Sequence, residues 1–159
     1  MMYSHGVMMN IAGRGVLLTG QSGVGKSEAA LALIDRKHYF IADDVVLLRR
    51  SHHNNTVVGE SPDKLKNALE VRGLGILNVA KLFGDAVLKP NSVLDLIVKL
   101  EKKTTSESCV TPCITYQDIL TIKIPEMTLP VFASGNNNLA LRIETAVNYY
   151  FNHSGHHHG

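Results

Sequence analysis

The chain of 159 residues has no tryptophan, only two cysteines and five prolines, and an aromatic share of 6%. The cysteines, Cys109 and Cys113, stand in a C-x-x-x-C spacing with no second Cys/His pair nearby. That is too little for a disulfide framework or a complete zinc site, and they read as ordinary thiols of a reducing compartment. No apolar run approaches the about 20 residues that cross a bilayer. The start, Met1-Met2-Tyr3-Ser4-His5, lacks a basic region followed by an apolar stretch, so no secretory leader is visible. A strong charge of one sign is lacking too. The net charge is +2 and the basic residues are scattered rather than striped, which argues against a nucleic-acid partner. These absences point to a cytoplasmic protein with no membrane association.

What is present suffices for one folded domain, since 45% of the residues are apolar. Residues 1–152 are expected to form it. The segment 153–159, with His156-His157-His158, is set apart as a tail, either an appended His run or a natural metal-binding one.

One stretch organises the rest. Gly20-Gln21-Ser22-Gly23-Val24-Gly25-Lys26-Ser27 fits G-x-x-x-x-G-K-[ST], the P-loop pattern. Glycines let backbone N–H groups curl around a polyphosphate with no Cβ in the way. Lys26 can then reach the β- and γ-phosphates, and the Ser27 hydroxyl can sit on Mg²⁺. The flanks suit the motif: Val16-Leu17-Leu18-Thr19 has strand length, and Glu28 to Ile34 is rich in helix formers. A helix opening at Lys26 adds its positive N-terminal end to the anion site. A nucleoside triphosphate with Mg²⁺ is the expected ligand.

Along the chain, Val7 to Ile11 and the P-loop strand form a predicted hairpin through Gly13-Arg14-Gly15. Arg36-Lys37-His38 is expected to place cations in the last turn of the P-loop helix, before a buried strand, Tyr39 to Ala42, that ends in Asp43-Asp44. Val45–Leu48 and Thr56–Val58 suggest a second hairpin. Lys64 to Ala68 reads as a short helical piece, and Val79 to Phe83, closed by Gly84, as a helical turn or two. Val93 to Leu100 is one long β-type run, Glu101 to Cys113 a mobile loop, and Ile119 to Ile124 a strand stopped by Pro125. Leu139, Ile143, Ala146, Val147 and Tyr150 share one face of a final helix capped by Asn138. Strand runs outnumber helices. The expected class is α/β, a P-loop-containing mixed sheet with a substantial antiparallel component and flanking helices.

Several side chains can carry chemistry. A carboxylate at a strand end beside a phosphate site holds magnesium or its water, or takes a proton from an attacking hydroxyl. Asp43 and Asp44 stand there, although an acidic turn facing solvent has the same sequence. If the strand persists through them, they point opposite ways and only one faces the phosphates. Glu70 precedes the glycine-rich Val71-Arg72-Gly73-Leu74-Gly75, where it suits an ion as well as it suits a solvated turn. His5 alone reads equally as a surface histidine. Arg72 can touch phosphate or pair with a carboxylate, and the sequence does not choose.

Together these pieces resemble the catalytic domain of the HPr kinase/phosphorylase family. The matching segments are Ser4-His5-Gly6-Val7, the P-loop through Glu28, Ile41-Ala42-Asp43-Asp44, and Leu69-Glu70-Val71-Arg72-Gly73-Leu74-Gly75-Ile76-Leu77-Asn78. The last belongs to no general P-loop pattern and is the most specific. The resemblance runs from about Ser4 to Leu100 and returns weakly near Pro130 and the last helix. It implies a hexameric serine kinase that uses ATP to phosphorylate a seryl residue of HPr, the phosphocarrier of the sugar phosphotransferase system. Lys26 and the loop amides then bind the triphosphate, and Ser27 and Glu70 serve Mg²⁺. Asp44, with Asp43 beside it, takes the seryl proton, and His5 lies next to that carboxylate and tunes it. The family's reverse activity attacks phosphoserine with inorganic phosphate.

The chain departs from the family pattern in three ways. Full-length members carry a further N-terminal domain, whereas this chain begins close to His5. The family places a catalytic arginine after the long strand, and Glu101 to Pro130 contains none. A Pro-Val-x-x-Gly-Arg-Asn segment appears here as Pro130-Val131-Phe132-Ala133-Ser134-Gly135-Asn136-Asn137-Asn138, without its arginine and with altered length. Arginines at a transferring phosphoryl group are worth about 10³–10⁵ in rate in other enzymes. Weak or absent phosphorylase activity is therefore expected. Gln21 makes the loop less negative than the family's usual acidic residue, and Lys123 and Arg142 are the cations left to replace a lost one. A phosphotransferase acting on another acceptor and an ATP-binding regulator without chemistry are the competing readings.

Overall fold

The computed structural model describes residues 1–62, 66–103, 113–132 and 138–153. The run Val7–Ile11 (β2) turns through Ala12 and Gly13, both at positive φ, into Arg14–Gly20 (β3), and the two strands pair antiparallel. The predicted hairpin is present, with its turn one residue earlier and its second strand longer than the apolar run. β3 is buried on both faces, which is why it reads as continuous apolar sequence rather than as an alternation.

Six strands form the main sheet. Tyr39–Ala42 (β4) flanks β2, while Leu96–Lys103 (β10), Ile122–Phe132 (β12) and Cys113–Ile119 (β11) follow on the other side of β3, giving the order β11-β12-β10-β3-β2-β4. β10 runs parallel to both β3 and β12, and the other pairings are antiparallel. A second, antiparallel sheet has the order β1-β5-β6-β9, from Met2–His5 (β1), Val45–Ser51 (β5), Thr56–Glu60 (β6) and Asn91–Val93 (β9). Ala68–Val71 (β7) and Gly75–Asn78 (β8) make a separate hairpin. The mixed sheet with a large antiparallel share is as the sequence predicts.

The helices are Lys26–Asp35 (α1), Val79–Phe83 (α2) and Leu139–His153 (α3). Side chains divide between two cores. Met9, Val16, Leu18, Val98 and Leu100 pack with Leu33, Ile143 and Val147 under α1 and α3. Met8, Leu17, Ile41 and Ile97 pack with Val46, Leu48 and Val57 of the second sheet. The two long helices therefore flank one face of the main sheet only, and the small sheet covers the other.

Four local expectations change. The run from Val93 breaks in two because the chain crosses between the sheets there. Leu94 N–H bonds Val57 O of the small sheet, whereas Asp95 N–H bonds Gly15 O of the large one. Pro125 does not stop its strand. It pairs with Tyr116 of β11, and the parallel ladder with β10 begins one residue later, at Glu126. Proline is tolerated where one side of a strand has no partner to receive an N–H. The run called Ile119–Ile124 is a hairpin turn at Leu120-Thr121, both at positive φ, with Cys113–Ile119 as its other strand. Arg36 caps α1 and Lys37 and His38 lie beyond it, so no cation stands in the last turn. Of the predicted helical piece Lys64–Ala68, residues 64–65 lie outside the described residues and Ala68 opens β7. Cys109, residues 104–112 of the predicted loop, and the tail 154–159 also lie outside them.

Candidate active site

The P-loop leaves β3 at Gly20, whose φ of 139° and position 2.5 Å (as a built Cβ) from Leu100 O admit no side chain. Val24 is buried in the core and anchors the loop, with its N–H on Gln21 O at 3.1 Å. Gly25, at φ 107°, caps α1, so the first N–H groups of the helix open toward the cleft. Lys26 Nζ reaches back over the loop to Gly20 O at 2.6 Å and Gln21 O at 3.2 Å. Desolvation lowers its pKa, against an opposing pull from Asp43 and Asp44.

β4 delivers the carboxylates. The strand ends at Ala42, and Asp44 sits at φ 71° with the Val45 N–H bonded to Asp43 O at 2.8 Å. An i→i+2 bond around a positive-φ residue is the rarer, strained kind of γ-turn. Because the strand does not persist, both carboxylates face the cleft instead of one. Their surroundings differ. Asp43 is 8% exposed and accepts the Glu70 N–H at 2.9 Å. Burial raises its pKa, partly offset by N–H donation from Glu70 and Asp44. Asp44 is exposed. Its carbonyl takes the Gly6 N–H at 3.2 Å, and His5 pairs in register with Val45, so β1 lies alongside the strained turn. Gly6 cannot be larger, since a Cβ there meets Leu18 O at 2.5 Å.

The β7–β8 hairpin supplies the third wall. Glu70 and Arg72 are exposed on it, and the Arg72 guanidinium lies against Gly23, 3.3 Å from where a Cβ would stand. Arg72 forms no ion pair among the described residues, and its guanidinium lies against the loop rather than on a carboxylate. These walls enclose a cleft of about 520 Å³, within the usual range for small-ligand pockets. His5, Asp43, Asp44, Glu70, Lys26, Ser27, Gly20, Ser22, Gly23 and Gly25 all line it. Gln21 and Val24 do not. Arg72, whose role the sequence left open, lines it too, and Gly6 and Glu28 are lining residues that the sequence did not single out for a role; Glu28 is the acid in the first turn of the P-loop helix. Of the two cations left as replacements, neither lines the cleft: Lys123 pairs with Asp118 at 3.6 Å, and Arg142 lies over the Phe132 ring.

The donor set fits Mg²⁺ brought by a nucleotide better than a metal caged by protein. Among the described residues no three His, Cys, Asp or Glu side chains converge at ligand spacing. The Ser27 hydroxyl, a neighbouring carboxylate and phosphate oxygens are the donors that Mg²⁺ ordinarily takes.

Fold and site thus define a mixed α/β protein built around a P-loop, with an acidic strand end and a glycine-rich hairpin closing the cleft. Residues 1–158 match the family model described as "HPr Serine kinase C-terminal domain", and the chain belongs to that family. It is 45% identical over 146 residues to the HPr kinase/phosphorylase of Halalkalibacterium halodurans, covering 89% of this chain and 46% of that protein. It is 42% identical over 150 residues to that of Nitrosomonas europaea, covering 92% and 46%. The chain spans about half the length of the curated relatives it matches. The structure of the Hpr(Ser) kinase/phosphatase from Coxiella burnetii superposes with a TM-score of 0.83 at 32% identity, covering 94% of this chain and 96% of that one. Among the described residues no helix is long and apolar enough to cross a membrane.

Proposed function

We propose that this domain, residues 1–152, is an ATP-dependent protein-serine kinase whose acceptor is a seryl residue of HPr, working in the cytoplasm. The observation that carries the reading is the meeting in one cleft of the P-loop Lys26, the strained Asp44 turn and the Glu70–Arg72 hairpin. Lys26 and the loop amides hold the triphosphate, and Arg72 adds a second positive charge at the loop. Ser27 and Glu70 would hold Mg²⁺, which neutralises charge on the phosphates when bound. Asp44 is the base. It is the exposed carboxylate of the pair, whereas Asp43 spends its oxygen on the hairpin backbone. His5 stands beside that turn and tunes it. Asp44 takes the proton as the seryl oxygen attacks the γ-phosphorus and the bond to the β-phosphate oxygen breaks. Phosphorylase activity in the reverse direction is weak, and assembly into hexamers follows the family resemblance.

The test is incubation with γ-labelled ATP, Mg²⁺ and HPr beside the Lys26→Ala variant. Label on an HPr serine that disappears with Lys26→Ala supports the kinase. ATP binding without label on HPr overturns it in favour of a regulator or another acceptor.

A further inference from the structure

The β7–β8 hairpin belongs to neither large sheet: among the described strands its two members pair with each other alone. Leu69 and Val71 bury one face of β7 in the core beneath α1 and α3. Glu70, between them, projects from the opposite face and lines the cleft. Apolar packing of this kind is non-directional, and it does not fix where the Glu70 carboxylate stands along the cleft. At the foot of the hairpin the Asn67 carbonyl takes the Val79 N–H at 2.9 Å, which closes the hairpin on itself rather than on the site. One hydrogen bond of the described residues joins the hairpin to the segment that carries Asp44, from Glu70 N–H to Asp43 Oδ2 at 2.9 Å.

The end of β4 explains why a side chain makes that connection. Its carbonyls are already engaged: Asp43 O takes the Val45 N–H at 2.8 Å, and Asp44 O takes the Gly6 N–H at 3.2 Å. The γ-turn leaves no strand for β7 to pair with, and the Asp43 carboxylate supplies the acceptor that a strand carbonyl would have given. Asp43 is 8% exposed, so it is part of the cleft wall rather than a solvated group reaching into it. A carboxylate taken that far out of water is costly unless it accepts hydrogen bonds. Glu70 itself is exposed, so no burial of the residue holds its amide once the bond is lost. Bonds that orient a metal-binding side chain from behind are ordinarily worth about 10–100-fold in metal affinity.

We propose that Asp43 is a positioning residue for the metal end of the cleft: through its bond to the Glu70 backbone it fixes the Glu70 carboxylate in place, and metal binding requires that bond rather than the Asp43 charge. The proposal rests on the reading of Glu70 as a Mg²⁺ ligand, and it gives Asp43 no part in proton transfer.

The experiment compares wild type with Asp43→Asn, which keeps an oxygen for the Glu70 N–H, and with Asp43→Ala and Asp43→Ser, which do not. The serine hydroxyl is one bond too short, and this variant keeps a polar side chain in the wall where alanine does not give a folded protein. Glu70 amide hydrogen exchange is read by NMR with neither nucleotide nor metal bound. Mn²⁺ affinity is then read in the presence of a non-hydrolysable ATP analogue, and analogue affinity in the absence of metal. Asp43→Ala and Asp43→Ser are expected to speed Glu70 exchange by about tenfold and to weaken Mn²⁺ by about tenfold or more. Analogue affinity without metal is expected to stay within about twofold. Asp43→Asn is expected to keep both exchange and Mn²⁺ affinity within about threefold of wild type. Exchange unchanged in Asp43→Ala and Asp43→Ser overturns the latch, and Mn²⁺ affinity unchanged there overturns its link to the metal. A loss in Asp43→Asn as large as in Asp43→Ala overturns the bond in favour of the charge. Mn²⁺ affinity unchanged in Glu70→Gln removes Glu70 as a ligand and, with it, the metal half of the proposal. Absence of phosphoryl transfer to HPr with the expected results intact counts against the kinase reading alone.

Discussion

Asp43 and Asp44 are neighbours with opposite circumstances, and that difference gives each a separate experimental signature. Burial holds the Asp43 carboxyl above its ordinary pKa. Its protonated form is the one the fold favours, so this contribution to stability is complete below the ordinary carboxylate range. It is lost as pH rises through the elevated value. Asp43→Asn keeps an oxygen to accept the Glu70 N–H and removes the charge. Its thermal midpoint at pH 7 should equal or exceed that of wild type, with the gap closing on acidification. A lower midpoint at pH 7 contradicts this account of the site. Stability given up at a functional position in this way is a common trade. At Asp44 the backbone is at positive φ, which asparagine tolerates better than most residues. Asp44→Asn therefore removes the proposed proton acceptor without rebuilding the turn.

At the scale of elements, the joint between the sheets and the seat of α3 are the places to press. At Gly15 an added Cβ would stand 1.6 Å from Val93 O, and the Gly15 N–H is held by the Asp95 carboxylate at 2.8 Å. Neither neighbour can yield without parting β3 from the β9–β10 crossing. Gly15→Ala should cost about 3 kcal/mol in urea unfolding, and a cost near zero means that the crossing is not packed as described. α3 is fixed at both ends and along its length. Leu139 reaches Gly25, Phe151 lies under Arg14, and Glu144 takes Arg36 and His38. Those two partners, Arg36 foremost, bring the Glu144 pKa down to about 2. The sign is that of a depressed acid. The stabilisation is whole above the ordinary carboxylate range and fades as pH falls toward 2. Glu144→Gln should lower the urea midpoint at pH 7 and match wild type near pH 2, and a gap independent of pH refutes the linkage. The helices, the P-loop hairpin and the face of α3 were legible because periodicity and glycine spacing are local signals. The break at Leu94-Asp95 was not. Leu94 suits a strand and a single aspartate inside an apolar run does not mark its end, and what divides it is a pair of backbone bonds to residues far away in sequence. Pro125 misled for a similar reason, since its tolerance depends on where a neighbouring ladder begins.

For the whole molecule, the site is where four separate chain segments meet at the ends of the strands, and the short motifs announced most of it. Lys26 and Ser27 belong to a contiguous pattern that was readable by itself, whereas Asp43, Asp44 and Glu70 were set beside them in advance only by the family resemblance. The contact of Arg72 with the P-loop and the backbone bond from Glu70 to Asp43 depend on how the hairpin folds over, and nothing local encodes that. In the proposed function the loop binds while the strand end reacts. The direct measurement takes ATP affinity and the rate of phosphoryl transfer to HPr in parallel for wild type, Lys26→Ala and Asp44→Asn. Lys26→Ala should lose both. Asp44→Asn should keep ATP affinity within about threefold, the equivalent of under 1 kcal/mol, while transfer falls by about 10² or more. Transfer by Asp44→Asn at the wild-type rate would contradict the assignment of the base and, with it, the account of the cleft.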